Sequence, residues 1–301
     1  MNPHKPHHQP ANVKGNRLLA ATILNFIISI AEIAGGLISN SLSLISDALH
    51  NLSDGLAIFI AWIANKISQK PSNSKRTFGY KRIEILAVFF NALILIAISL
   101  YLFYEAILRI IAPEPVKGLI MLIVALIGLL ANLAAVLLLR GDAKRNINVR
   151  AAYLHLFGDT LSSVAVIIGG ILIYFFDIFW LDPIITIFIG IYIIKETWTI
   201  LKQTVDILMQ GSPAGLNLDL IRQDLEQIPE IANIHHVHIW NLDDQSVHFE
   251  CHVALIENSR ISETDNIYYK IEKVLKEKHH ISHLTIQFEH QLCDDKDMIH
   301  H

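Results

Sequence analysis

The sequence predicts an α-helical membrane protein in two parts, six transmembrane helices followed by a C-terminal cytoplasmic α+β domain of order α-β-β-α-β. Three observations carry this. Hydrophobic residues fill 52% of the 301 positions and charged residues only 17%, and the mean hydropathy is +0.43. The first two-thirds holds several apolar runs near the ~20 residues needed to cross a bilayer. After Gln210-Gly211-Ser212-Pro213, a helix-stop cluster, the chain turns mixed and charged.

The elements follow in order. Residues 1–17, with His4, His7 and His8 among Pro3, Pro6 and Pro10, read as a short disordered segment and a solvated tail. Residues 18–209 form the transmembrane domain, with spans over Leu18 to Ile38, Leu42 to Ile67, Ile83 to Ile110, Leu119 to Leu139, Ala151 to Phe176 and Pro183 to Leu201. The first span carries Asn25 and Glu32 and runs into the next without a cleavage site, so it is not a signal peptide. Lys and Arg mark the sides. Thirteen of them flank the N-terminus and the connections after spans two and four, against only Arg109 and Lys117 on the other side. The positive-inside rule then puts both termini in the cytoplasm.

Residues 210–301 form the cytoplasmic domain. Leu216 to Ile228 and Thr264 to Lys278 have helical spacing, while Ile234 to Trp240, Val247 to Ile256 and Leu284 to Glu289 alternate like strands. This order predicts a sheet with helices on one face. At roughly ninety residues the domain is small, so dimerisation or metal binding is expected to support it. The net charge of −4 gives no reason to invoke nucleic acid. Two cysteines, Cys251 and Cys293, with no C-x-x-C fit a reducing cytoplasm.

The chemistry lies in a repeated pattern, His50-x-x-x-Asp54 in span two and His155-x-x-x-Asp159 in span five. A spacing of four puts both side chains on one helix face about one turn apart. Two such helices facing each other make an N2O2 cage, which suits tetrahedral coordination of a divalent metal. An isolated carboxylate at the bilayer centre costs roughly 2.5–3.5 kcal/mol, so two of them need a compensating cation or proton. Asp47 and Asn51 stand beside the first pattern, and Asp47 is either an orienting partner of a ligand or a polar group at the mouth of the span. Asn25, Asn91 and Asn132 read as hydrogen-bonding glue between helices. Two carboxylates and one divalent cation sum to zero charge, while an empty site would need protons instead. Metal and protons therefore compete, which favours antiport, with export driven by inward proton movement. No G-x-x-x-x-G-K-[ST] occurs, so nothing points to an ATP-driven pump.

The runs SLSLISDALHNLSD, HLFGD, TFGYKRIEILA, VDILMQGSP, HHVHIW and HLTIQFE together resemble the cation diffusion facilitator family, in its zinc-exporting branch, over nearly the whole chain. The resemblance implies a homodimeric six-helix transporter with a metallochaperone-like cytoplasmic domain, exchanging Zn2+ for H+. By motif, its transport site is His50, Asp54, His155 and Asp159. A His in the first position resembles zinc and cadmium transporters, whereas manganese-type members carry Asp there. The resemblance also implies a zinc site in the tail at His235, His252 and Glu289, with His283 and His290 close to positions that some members use. Many members hold a further site between spans two and three, but here KISQKPSNSKRTFGY has neither His nor Asp.

Two other classes share single features with this sequence. Clusters such as HHVH and HHISH resemble the His boxes of di-iron lipid oxidases, but they fall well after the last span, and no H-E-x-x-H of a zinc protease occurs. The chain is therefore not expected to be an enzyme. A membrane-bound metal sensor without transport is the second alternative. The compact chain and short loops point to a bacterial inner membrane.

Overall fold

The computed structural model describes residues 15–139, 147–243, 246–290 and 297–298, without the side chains of 15–22, 138–139, 147–152 and 154–156. His4, His7, His8 and Cys293 lie outside the described residues. Six long helices come first: α1 (Gly15–Ser39), α2 (Leu42–Ser68), α3 (Ile83–Ile111), α4 (Gly118–Leu139), α5 (Ile147–Phe176) and α6 (Leu181–Leu208). The C-terminal domain adds α7 (Leu218–Glu226), β1 (Ile231–Asn241), β2 (Val247–Leu255), α8 (Ile261–His279) and β3 (His283–Glu289). Helix α6 continues seven residues past the predicted end at Leu201, because Lys202, Gln203 and Asp206 extend it as a polar helix rather than a loop.

Among the described residues, four helices are long and apolar enough to cross a membrane: α3, residues 118–137 of α4, residues 157–176 of α5, and α6. An apolar stretch of α1 over Ile23–Ser39 is shorter. In α2 the apolar pattern is broken by Ser43, Ser46, Asp47, His50, Asn51 and Ser53, all buried. This is a helix that turns a polar face inward.

The chain divides into two compact units, residues 1–61 with 90–199, and residues 62–89 with 200–301. In the first, α4 packs against both α5 and α1. Two glycines make this possible. A Cβ on Gly118 would lie 2.7 Å from the Tyr174 backbone nitrogen and 2.9 Å from its Cα, and neither atom can turn aside. A Cβ on Gly128 would collide with the Glu32 carboxylate. Gly118→Ala is therefore expected to destabilise the protein by about 1–3 kcal/mol, the usual cost of overpacking, visible as a lower melting temperature in detergent.

The start of α2 is held by a residue distant in sequence. Asp182, fully buried at the start of α6, accepts hydrogen bonds from Ser41 Oγ (2.7 Å), Leu42 N (2.7 Å), Ser43 N (3.2 Å) and Ser43 Oγ (2.6 Å). Its carboxylate satisfies first-turn amides that have no partner within the helix and sits at the positive end of the helix dipole. Asn40, at φ 59°, makes the tight turn before α2, and Arg109 donates to its backbone and side-chain oxygens at 2.7 and 2.9 Å.

In the second unit the sheet has the order β1-β2-β3, with β1 and β2 antiparallel and β2 and β3 parallel. The parallel pair requires a crossover, which α8 supplies. Helix α7 packs on β1 and α8, and α8 packs on β3. Ile221, Leu225, Ile234, Phe249, Cys251, Val253, Ile271 and Leu275 form part of the core on the helix-covered face. Asn217 caps α7 by accepting from the amides of Asp219 and Leu220. Lys276, Lys278 and His279 end α8, where cations suit the dipole.

Burial raises the Cys251 thiol to about 12, with Glu250 adding to the shift. The unfolded chain ionises first, near 9, so this contribution to stability is complete below that pH and is lost as pH rises toward 12. Maleimide labelling of Cys251 at neutral pH is expected only on unfolding.

Candidate metal centres

The face that α2 turns inward carries the first centre. His50 is 6% exposed, and its Nε2 lies 3.6 Å from Asp54 Oδ2 and 3.8 Å from Asp159 Oδ1. Asp54 reaches it from one turn along the same helix, and Asp159 from α5, where its side chain is 3% exposed. The structure thus gathers three of the four residues singled out in the spans. His155 lies in α5 one turn before Asp159, and its side chain is outside the described residues.

Asp47, one turn before His50, is buried and accepts hydrogen bonds from Ser162 and Ser163 of α5, the latter at 3.2 Å. It joins the two helices that carry the His-Asp patterns, which fits a group that positions ligands better than one at the mouth of a span. Asn91 accepts from Ser53 Oγ at 3.5 Å, a weak tie between α2 and α3. Asn25 Oδ1 and Asn132 Nδ2 are buried without a hydrogen-bond partner among the described residues.

Glu32 carries more weight than its sequence context suggested. It is 1% exposed, neither carboxylate oxygen has a hydrogen-bond partner among the described residues, and the gap at Gly128 accommodates it. The signal was its position as the single acid of α1.

The second centre lies on the face of the C-terminal sheet opposite its helices. His235 Nε2 approaches Glu289 Oε1 at 2.6 Å, and His252 Nδ1 lies 3.6 Å from Glu289 Oε2. One donor atom from each of the three residues falls within 4.8 Å of the others. His235 and His252 face each other across the β1–β2 ladder, and Glu289 comes from the end of β3. Both Glu289 oxygens and His235 Nε2 are buried without a properly oriented hydrogen bond. Donor atoms turned toward one point and otherwise unsatisfied are what an ion would satisfy.

Two further residues shape this centre. Asn233 Oδ1 lies 3.0 Å from His235 Nδ1, which holds the ring and leaves Nε2 to face Glu289. His236 stands at φ 53° in a register shift between His235 and His238, and its ring stacks on His252 at 4.6 Å. The doubled histidine in HHVHIW was its only signal, because a bulge depends on the partner strand. His290 Nδ1 lies 3.3 Å from the Leu255 carbonyl, and His283 lies at the far end of β3.

Apolar helices that bury imidazole and carboxylate groups, followed by a small domain with its own His2Glu cluster, define a membrane protein with nitrogen and oxygen donors gathered in both parts. The chain belongs to the cation efflux, or cation diffusion facilitator, family, in its zinc branch. The profile of the cation efflux transmembrane domain matches residues 18–209, and that of the cation efflux protein cytoplasmic domain matches residues 213–291. The chain is 40% identical over 291 residues to the zinc transporter ZitB of Pectobacterium atrosepticum, covering 96% of this chain and 89% of that one. It is 41% identical over 285 residues to the cadmium, cobalt and zinc/H(+)-K(+) antiporter of Bacillus subtilis, covering 94% and 91%. It is also 35% identical over 298 residues to the metal cation efflux system protein CzcD of Cupriavidus metallidurans, covering 99% and 93%. These relatives are cation efflux transporters and not enzymes.

Proposed function

We propose that the protein exports Zn2+ from the cytoplasm in exchange for H+, with His50, Asp54, His155 and Asp159 as the transport site. The observation that carries this is the His50 imidazole set between Asp54 and Asp159, in the interior of an apolar helical unit. Two carboxylates balance one divalent ion, and imidazole with carboxylate suits zinc, and also the cadmium and cobalt that relatives are named for. When the ion leaves, the carboxylates take up protons rather than remain charged in low dielectric. Proton coupling follows from that exchange.

In this reading all six helices cross the membrane, both termini are cytoplasmic, and the chain works as a homodimer in a bacterial inner membrane. Residues 18–209 carry the ion, and residues 210–301 bind zinc through His235, His252 and Glu289 and join the two copies. The matched cytoplasmic-domain profile supports the division of labour. The exchange has a direct signature in detergent. Zinc added to the purified protein in weak buffer is expected to release protons, and Asp54→Ala with Asp159→Ala is expected to remove most of that release. Zinc binding without proton release would defeat the exchange step.

A further inference from the structure

The sheet face opposite the helices carries a second pair of imidazoles, at the end away from His235, His252 and Glu289. His248 of β2 and His283 of β3 are register partners, and their ring centroids lie 4.5 Å apart with the planes at 40°. Two imidazoles on one tetrahedral ion, with N–metal bonds of about 2.1 Å, have centroids about 5 Å apart. The pair stands close to that spacing.

His248 is also held in place. Trp240 stacks against its ring at 5.5 Å and Phe78 meets it edge-on at 5.4 Å. It is 6% exposed, and its Nδ1 is buried with no hydrogen-bond partner among the described residues. Burial, then the neighbouring His283 and Lys81, holds its pKa below the usual histidine value.

Both histidines line a cleft of about 670 Å³ with Ser246, Ser282 and Lys81. Lys81 Nζ lies 3.4 Å from Asp243 Oδ2 and donates to Ser246 Oγ at 3.0 Å. Asp243 Oδ1 also accepts a hydrogen bond from the Ser246 amide at 2.5 Å.

We propose that His248 and His283 together bind a divalent ion of the zinc class through their two imidazoles. Imidazole is a favoured ligand of that class, and the cleft leaves room for water in the remaining coordination positions. The domain thereby gains a metal equivalent per chain that is distinct from the His235 centre.

The test is equilibrium dialysis of the full-length protein against zinc, with bound metal counted by mass spectrometry, in a background of Asp159→Ala, His235→Gln and Glu289→Gln. That background is expected to keep one zinc per chain at this site. Adding His283→Gln, at an exposed position where the fold does not depend on the side chain, is expected to weaken that binding at least 10-fold. His248→Phe, which keeps a ring between Trp240 and Phe78, is expected to do the same. Unchanged zinc affinity and stoichiometry in both variants would overturn the proposal. Because the readout is binding and not flux, either result is independent of whether the membrane site transports.

Discussion

Asp159→Ala is expected to lower zinc flux by about 100-fold or more, equivalent to a loss of about 2.7 kcal/mol. Asp159 is one of two carboxylates beside His50 and is almost wholly buried. Without it, a divalent ion at the centre retains an uncompensated positive charge in a medium of low dielectric, and one coordination position is lost. Asp47→Asn is the informative comparison. It keeps the shape of a side chain that accepts from Ser162 and Ser163 but removes its charge. A group that positions ligands typically contributes 10–100-fold to metal affinity, so this variant is expected to fall between Asp159→Ala and the unaltered protein. Flux from reconstituted protein, measured with a zinc indicator inside the vesicles, ranks the three.

Asp182→Ala is expected to have the largest effect on stability, a loss of about 3 kcal/mol or more. Removing the carboxylate leaves the Leu42 and Ser43 amides and the Ser41 and Ser43 hydroxyls in a buried place without their acceptor. Hydrogen bonds to a charged group contribute about 1.5–3 kcal/mol each, and stranding buried partners adds to the loss. Asp182→Asn, which retains one carbonyl acceptor, is expected to recover part of it. Thermal unfolding in detergent separates the variants, and equal melting temperatures for Asp182→Ala and the unaltered protein would rule out this cap as a significant support.

These two aspartates also mark what the sequence could and could not reveal. Asp159 was legible because its partner in the pattern, His155, lies four residues away and helical periodicity alone puts them on one face. Asp182 was not, because its partners lie some 140 positions earlier and nothing local distinguishes it from an ordinary polar residue at a helix start. Glu32 falls between these cases. A lone acid in an apolar helix signals function, but its place against Gly128 on α4 depends on packing.

The helix limits were readable where apolar runs ended in turn residues, as at Leu42 and Ile83, and less so at α6, where the helix outlasts its apolar stretch. In the C-terminal domain, alternation separated the core face of β2 from the face that carries His248, Glu250 and His252. It could not show the register shift between His235 and His238, which exists only relative to β2. Nor could it pair His248 with His283, since parallel neighbours joined by a helix leave no spacing rule in the sequence. Family resemblance supplied His235, His252 and Glu289 as a group, and the sheet explains how residues so far apart in the chain come to face one another.

The central claim, proton-coupled zinc movement through the His-Asp centre, is tested most directly in sealed proteoliposomes with a zinc indicator inside and an imposed pH gradient of either sign. Zinc uptake is predicted to accelerate when protons can flow outward against the entering metal, to slow when the gradient is reversed, and to be lost in Asp54→Ala and Asp159→Ala proteins that remain folded. Zinc flux that ignores the pH gradient, or that persists in both variants, would contradict the account.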